Sequence, residues 1–562
     1  MTAEAVAAVA KQLPDVHVPD VLETLAQLPN DDVYTPPKVV VAMLDILPAH
    51  VWAEPHYTWL DPATKSGTYL REVFKRLMAG LAAWEPDGRK RREHILKNML
   101  HGAATTQING EIARRSLYQT KNATGAEVKD PGLADLVVEL DSPEGNVPFV
   151  ATEHMLTRKG DKCVLCKAPS KLIREQRESY AYSFIHNTYP TKEMGTMKFD
   201  VIIGNPPYQM GTEGHGKTAS SIYHLFVERA IAMDPKYVVM ITPSRWFAGG
   251  KGLDGFRDSM IRDRRLRVLV DNPKIFDVFP QVKIRGGVSY FLWDREYDGD
   301  CEFSTRINGQ VKSTLVRDLR EGDGVLIRDN RAMNIVRKVK AVRDPERVED
   351  VSSVTKPFGL TMRSNYPGSV PERFPGAVPL IYATRIGYSR PDQIERNHEW
   401  IDRWKVLLPM VSSGDTPSDD EGNIIDVVLG EPIALAPGSA CTQTYFIPGL
   451  FDTREETENF AYYLSTKFVR FLVLQRKITQ HVTPDRFRFV PMLDMTRRWT
   501  DGDLYARYGF SQQEIAYIEA SIKPRSVNLS LDSPIPETHL PGGRKYRAGD
   551  VAVESEDDGD DE

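Results

Sequence analysis

The chain has no apolar run approaching the roughly 20 residues needed to cross a bilayer, and only four cysteines occur in its 562 residues. The first absence argues against a membrane partner. The second argues against a disulfide framework, because four cysteines cannot brace a chain of this length. The stretch from Met1 to Lys11 is alanine-rich and lacks the basic-then-apolar pattern of a secretory leader, so a cytoplasmic protein is expected. There are no internal repeats. Lys and Arg are missing from Val551 to Glu562, which holds seven acidic residues, and removing those from the net charge of −6 leaves the rest of the chain at +1. The acidic balance therefore does not exclude a polyanionic partner, and the tail reads as solvated and disordered.

What the chain does have is enough length and a hydrophobic fraction, 41%, for two or three domains. Its most informative stretch is Phe199-Asp200-Val201-Ile202-Ile203-Gly204-Asn205-Pro206-Pro207-Tyr208. Val201 to Ile203 is a short continuous apolar run, as in a strand buried on both faces of a parallel sheet. The prolines end the strand, so Asn205 falls at its carboxyl end, the edge where open α/β sheets bind ligands. The chemistry suits a planar exocyclic amine, whose lone pair is delocalised and must be localised before it can attack. Two fixed acceptors, the Asn205 side-chain oxygen and the Pro206 carbonyl, can each take one N–H, and proline pre-organises that carbonyl by fixing φ. Tyr208 is placed to stack on the face of the base.

Asn-Pro-Pro-Tyr after an Asp-containing apolar strand resembles the catalytic motif of amino-group methyltransferases dependent on S-adenosylmethionine. Its context resembles the gamma-class, TaqI-like adenine-N6 DNA methyltransferases of restriction-modification systems, in which cofactor motifs precede the catalytic motif and a target-recognition region follows. The resemblance implies an α/β fold: a Rossmann-like methyltransferase sheet with a mixed α+β target-recognition domain. It implies double-stranded DNA and a cognate restriction endonuclease as partners. Trp59-Leu60-Asp61-Pro62 reads as a strand entering a tight turn through Ser66 and Gly67 to a helix from Arg71 to Leu81. By resemblance, Asp61 and Pro62 meet the methionine amino end and Ser66 and Gly67 its carboxylate, with Lys65 standing where the family commonly has glycine. Tyr34-Thr35-Pro36, ahead of a helical pattern from Val39 to Leu47, is similar to the family's amino-terminal cofactor motif. Gln107, after a second strand over Met99 to Thr105, takes the place of the acid that binds ribose hydroxyls, and Asp200 belongs to the same cofactor set. Further strands over Tyr237–Ile241, Leu266–Val270 and Gly287–Trp293 complete the sheet, and Tyr290 or Phe291 in the last is the second aromatic expected against the target base.

The expected organisation is a leader over 1–30, a catalytic domain over 31–300 with an insertion at about 121–196, and a connector over 301–350. A recognition domain over 351–500, a helical segment over 501–530 and the acidic tail over 531–562 follow. Within the insertion, Cys163-Val164-Leu165-Cys166 is half of a structural zinc site, and His154 and His186 flank it as the remaining ligands of a Cys2His2 set. A reduced thiol pair or a redox pair are the competing readings. Basic groups cluster at Arg89–Arg92, Arg257–Arg267, Arg486, Arg488, Arg497 and Arg498, where phosphate contacts are sought. Thr384–Arg390 resembles a recognition stretch whose arginines read guanine edges and whose aromatic stacks, and Gln475–Thr483 is a second stretch expected to face DNA. Two other functions fit the same corner: an RNA or protein-glutamine methyltransferase, and a restriction endonuclease fused to a methyltransferase. For the latter, Asp277 to Lys283 offers only a poor metal-carboxylate cluster.

Overall fold

The computed structural model describes residues 34–523 except 127, 129–136, 153, 169, 171–181, 192–196, 209–219, 248, 251, 280–285, 361–368, 383–385, 412–427 and 478–480. The leader and the acidic tail lie outside the described residues. The chain divides into two compact units: residues 1–242 with 279–282 and 290–296, and the remainder.

In the first unit the elements run α1 (Pro37–Leu44), β1 (Trp59–Thr64), α2 (Thr68–Gly80), α3 (Gly88–His94), β2 (Leu100–Ala104), α4 (Gln107–Tyr118), β3 (Val201–Gly204), α5 (Tyr223–Ala232) and β4 (Tyr237–Pro243). The strands stand in the order β2-β1-β3-β4 and are parallel, with Trp59 beside Leu100 and Val201, and Val201 beside Tyr237. All four are buried along their whole length, which explains why β3 and β4 read as continuous rather than alternating apolar runs. Pro62 cannot donate to the ladder, and the register of β1 against β2 shifts between Asp61 and Thr64. β6 (Val288–Asp294) lies beyond β4. It runs antiparallel to it, since Arg295 N donates to Lys236 O at one end and Ser244 N to Gly287 O at the other.

The helices close the faces. Pro37 opens α1 at a position where its missing N–H is no loss, and α1 buries Val39, Val40, Met43 and Leu44. α2 buries Tyr69, Leu70, Val73 and Leu77, spaced for one helical face. Thr106 caps α4 by accepting from Asn109 N at 3.0 Å. The insertion after α4 meets the sheet where Gly102 N and Ala104 N of β2 donate to Asn146 O and Pro148 O.

The second unit contains β5 (Leu266–Asn272), parallel to β7 (Cys301–Ile307), which pairs antiparallel with β8 (Gln310–Arg317). The expected connector over 301–350 therefore holds two paired strands and a helix, α7 (Asn330–Ala341). α6 (Asp254–Arg262) precedes β5. Further on, β10 (Val378–Ile381) pairs with β11 (Ile386–Ser389) and β14 (Ala440–Cys441), and β12 (Trp404–Pro409) pairs with β13 (Ile433–Leu435) and β15 (Tyr445–Phe451). The short β9 (Ser369–Val370) pairs with β11. Helices α8 (Arg454–Ser465), α9 (Lys467–Leu474), α10 (Asp501–Arg507) and α11 (Gln512–Ser521) follow. Leu504, Tyr505, Ile518 and Ile522 share one core with Val406, Phe446, Phe460 and Leu472, so the helical segment over 501–523 is part of this unit's packing. Among the described residues no helix is long and apolar enough to cross a membrane, and the four cysteines form no disulfide.

Gly80 ends α2 against the backbone of the preceding turn: a Cβ there would lie 2.1 Å from Trp52 O. Alanine normally stabilises a helix relative to glycine by about 0.5–1 kcal/mol, but here backbone would have to yield, at a cost of roughly 1–3 kcal/mol. Gly80→Ala is therefore expected to lower the thermal unfolding midpoint. A raised midpoint would contradict the packing.

Candidate active site

The turn after β3 is held from a distance of 170 residues: Asn205 Nδ2 donates to Thr35 Oγ1 at 3.0 Å, and both residues are buried. Thr35 Oγ1 also accepts from Tyr69 Oη of α2 at 3.2 Å. With that hydroxyl accepting from Asn205 Nδ2, the amide is oriented with its NH2 group on Thr35 and Oδ1 on the other side. Pro206 and Pro207 are buried behind Asn205. Tyr208 O accepts from Ile222 N at 3.2 Å, which ties the turn to the start of α5.

Asp61 stands within the neighbouring strand β1, 2% exposed. It accepts from Ala63 N at 3.1 Å, and burial pushes its carboxyl up to about 7 against the opposing pull of that N–H and of Lys65. Gly204 is required beside it, because a Cβ there would lie 2.7 Å from Asp61 Oδ1. Gly67 opens α2 in the left-handed region at φ +73°, where a Cβ would press on the Ala113 backbone at 3.0 Å. Ser116 Oγ of α4 holds the loop by donating to Ser66 O at 3.1 Å. Tyr34 Oη donates to Asn109 Oδ1 at 2.9 Å, and Asn109 Nδ2 donates to Thr105 Oγ1, also at 2.9 Å.

Tyr34, Thr35, Asp61, Ala63, Lys65, Ser66, Gly67, Thr68, Tyr69 and Asn205 line one cavity. At one end is a buried carboxylate whose ionised form needs a cation. At the other is the first turn of α2, which has no side-chain cap and whose amides favour an anion. A zwitterion such as the α-amino acid end of a ligand matches both. The cavity also reaches Asn205.

Two expected members of the cofactor set stand elsewhere. Asp200 precedes β3, whereas Asn205 follows it. Its Oδ2 accepts from Thr58 N at 3.0 Å and Thr58 Oγ1 at 3.2 Å, pinning β1 to β3 at the amino edge. Asp200 and Asn205 are separated by the whole of β3, about 16 Å at 3.3 Å per strand residue, so Asp200 is a staple of the sheet rather than a cavity residue. Gln107 is exposed at the first position of α4 and is not among the residues lining the cavity.

Tyr208 is buried, with Tyr223 and Phe279 edge-on to its ring at centroid distances of 6.5 Å each. Burial raises its hydroxyl well above the usual phenol value, with the Asn205 side chain acting against that shift, so it stays neutral. Tyr290 and Phe291 are buried within β6. Phe279 was missed because it lies in an irregular segment after β5, where no periodicity marks it.

His154, Cys163, Cys166 and His186 converge, their ligand atoms all within 4.8 Å of one another. The basic clusters fare differently, because many of their side chains have partners inside the protein. Arg257 pairs with Asp254 and Asp258 at 2.9 Å each, Arg264 with Asp298 at 2.6 Å, and Arg265 with Asp263 at 2.8 Å. Arg476, expected in a DNA-facing stretch, is buried instead. It donates to Asp485 O and Gly322 O, and burial lowers its guanidinium to about 10. Arg486 donates to Arg476 O, and Arg488 pairs with Glu349 at 2.7 Å. Thr384 and Arg385 lie outside the described residues, and Tyr388 sits within β11 opposite Pro379.

A family model described as the Eco57I restriction-modification methylase matches residues 98–279. A protein of Mycoplasma pneumoniae (strain ATCC 29342 / M129 / Subtype 1), described as an uncharacterized adenine-specific methylase, is 32% identical over 338 residues, which is 57% of this chain and 80% of that protein. Solved structures similar to the chain include a modification subunit of a putative type I restriction enzyme from Vibrio vulnificus YJ016, at 15% identity and a TM-score of 0.33. Another is the DrdV–DNA complex, at 13% identity and a TM-score of 0.41. The shares covered are 55% and 83% of this chain, which spans 54% and 56% of theirs, about half the length of each. Through a relative matched over four-fifths of its length, the chain belongs to the adenine-specific methylases, and the restriction-modification methylase model falls on the residues that include the Asn205 corner.

Proposed function

We propose that this protein transfers a methyl group from S-adenosylmethionine to the N6 amine of adenine at a specific sequence in double-stranded DNA, with the base turned out of the helix. The observation supporting this reading is the Asn205 amide, anchored by its nitrogen on Thr35 at 3.0 Å, which leaves its oxygen as a directed acceptor. The cavity's zwitterion-matching ends fit the methionine portion of the cofactor. Asp61 would hold the ammonium, and the amides of Ser66, Gly67 and Thr68 the carboxylate. When bound, the cofactor supplies an electrophilic methyl group on a sulfonium centre.

The protein's own contribution is orientation and charge placement. Asn205 Oδ1 and the Pro206 carbonyl accept the two N–H bonds of the amine, which draws its lone pair out of conjugation and points it along the line of attack. Pro207 stiffens the turn. Tyr208 and Phe279 supply aromatic surface for an extruded base, in keeping with the stacking that such bases require. Tyr208 stays neutral, and the amine proton can leave after transfer, so the site needs no strong base. A cognate nuclease and a recognition role for the region after residue 350 belong to the same proposal.

Asn205→Ala is expected to reduce methylation of DNA carrying the target site by at least about 10²-fold, as for loss of a pre-organised polar contact. Thr35→Val, which frees the amide to flip, should cost about tenfold in kcat, consistent with one hydrogen bond of about 1–1.5 kcal/mol. Labelled cofactor offered with DNA, RNA and protein identifies the acceptor. Full activity in Asn205→Ala, or label appearing only in RNA or protein, defeats the proposal.

A second outcome follows from Asp61. Its carboxyl is raised to about 7, so below that pH an incoming ammonium must displace a proton. Calorimetric affinity for S-adenosylmethionine should then fall as pH drops through 7, approaching tenfold per unit. Asp61→Asn should bind weakly at every pH and lose the slope. A wild-type affinity flat between pH 6 and 8, the interval of about one unit on either side of that value, would remove Asp61 from the ammonium site.

A further inference from the structure

We infer that His154, Cys163, Cys166 and His186 bind one Zn2+ ion in a closed, structural site that fastens the segment between α4 and β3 to the helix beside the Asn205 corner. The inference does not depend on which acceptor is methylated.

Local folding brings the ligands together. A hairpin pairs Leu156 with Cys163, with Thr157 N donating to Lys162 O at 2.9 Å and Val164 N to Met155 O at 2.7 Å. It turns at Gly160, whose φ is +65°, and so returns Cys163 next to His154. A second turn, closed by Lys167 N to Cys163 O at 3.2 Å with Lys167 at φ +61°, presents both thiols on one side. His186 arrives on a separate turn in which its N–H donates to Tyr182 O at 3.2 Å. Both cysteines are fully buried and both histidines half-buried.

The donor set fits the metal. Zn–S bonds of about 2.3 Å and Zn–N bonds of about 2.0–2.1 Å place the atoms of a tetrahedron roughly 3.3–3.8 Å apart. Cys166 Sγ lies 3.4 Å from His154 Nδ1, and Cys163 Sγ lies 4.0 Å from His186 Nε2. A small inward rotation of the side chains completes the polyhedron. Two thiolates and two imidazoles select zinc over the oxygen-preferring cations, and with four protein ligands no position remains for water. On binding, each thiol releases its proton to solvent as its S–Zn bond forms, so the site becomes electrically neutral. A disulfide would use up both sulfurs and leave the convergence of the two imidazoles, edge to face at 4.9 Å, unexplained.

The location gives the metal its role. On the His186 turn, Tyr182 and Phe184 each pack on Phe226 of α5 at 6.0 Å. Tyr223, the first residue of that helix, meets Tyr208. Zinc therefore ties the hairpin to the turn that props the helix behind Tyr208.

Elemental analysis of the full-length protein should find about one zinc per chain, as four ligands make one tetrahedral site. Cys163→Ser and Cys166→Ser should each lose it, whereas Cys301→Ser and Cys441→Ser should retain it. Should the first pair fail to fold, cobalt exchanged into the wild-type protein provides the check: intense tetrahedral d–d bands with sulfur-to-cobalt charge transfer are expected. Metal-free protein that takes up neither ion after reduction overturns the inference. So does zinc fully retained in Cys163→Ser, or cobalt with only weak octahedral bands.

Discussion

The hydrogen bond from Asn205 Nδ2 to Thr35 Oγ1 is the constraint on which the site rests. An asparagine amide is symmetric in shape but not in chemistry, and either end could face a ligand. In the structure Thr35 engages the donor end. Because Thr35 also accepts from Tyr69 of α2, the helix that begins the cavity and the turn that ends β3 are referred to one hydroxyl. The acceptor geometry and the cavity are thus set together, and a shift of α1 or α2 would be felt at the amide.

The parallel register supplies the rest. Trp59, Leu100, Val201 and Tyr237 start level with one another, so the strands deliver Asp61, Thr105 and Asn205 to a common edge. Asp200 and Thr58 lock the opposite edge. A carboxylate near each end of the sheet thereby does a different job. At the amino end Asp200 is satisfied by backbone and hydroxyl donors, whereas at the carboxyl end Asp61 is buried with few donors, and its proton affinity rises accordingly.

Much of this was legible in the chain before any coordinates. β3 and β4 are buried on both faces, so their apolar runs are unbroken, and prolines follow close on where they stop. The turn after β3 announces its chemistry because its residues are contiguous, and the His154, Cys163, Cys166, His186 set is found by ligand type and spacing alone. Other features are relational and leave no local trace. Thr35 acts across 170 residues, and Phe279 reaches Tyr208 from an irregular stretch. Arg476 looks like a surface cation until the carbonyls around it are seen. The β7–β8 pairing was the avoidable omission: Asn308-Gly309, both at positive φ, is a strong short-range hairpin signal, and it sits in the stretch read as a connector.

Gly204 has a consequence for how such a protein can diverge. With Asp61 Oδ1 only 2.7 Å from where its Cβ would be, the last position of β3 tolerates no side chain unless the carboxylate moves. The end of β3 and the Asp61 side chain of β1 are thus in close register. A change at the end of β3 is therefore a change at the Asp61 carboxylate as well.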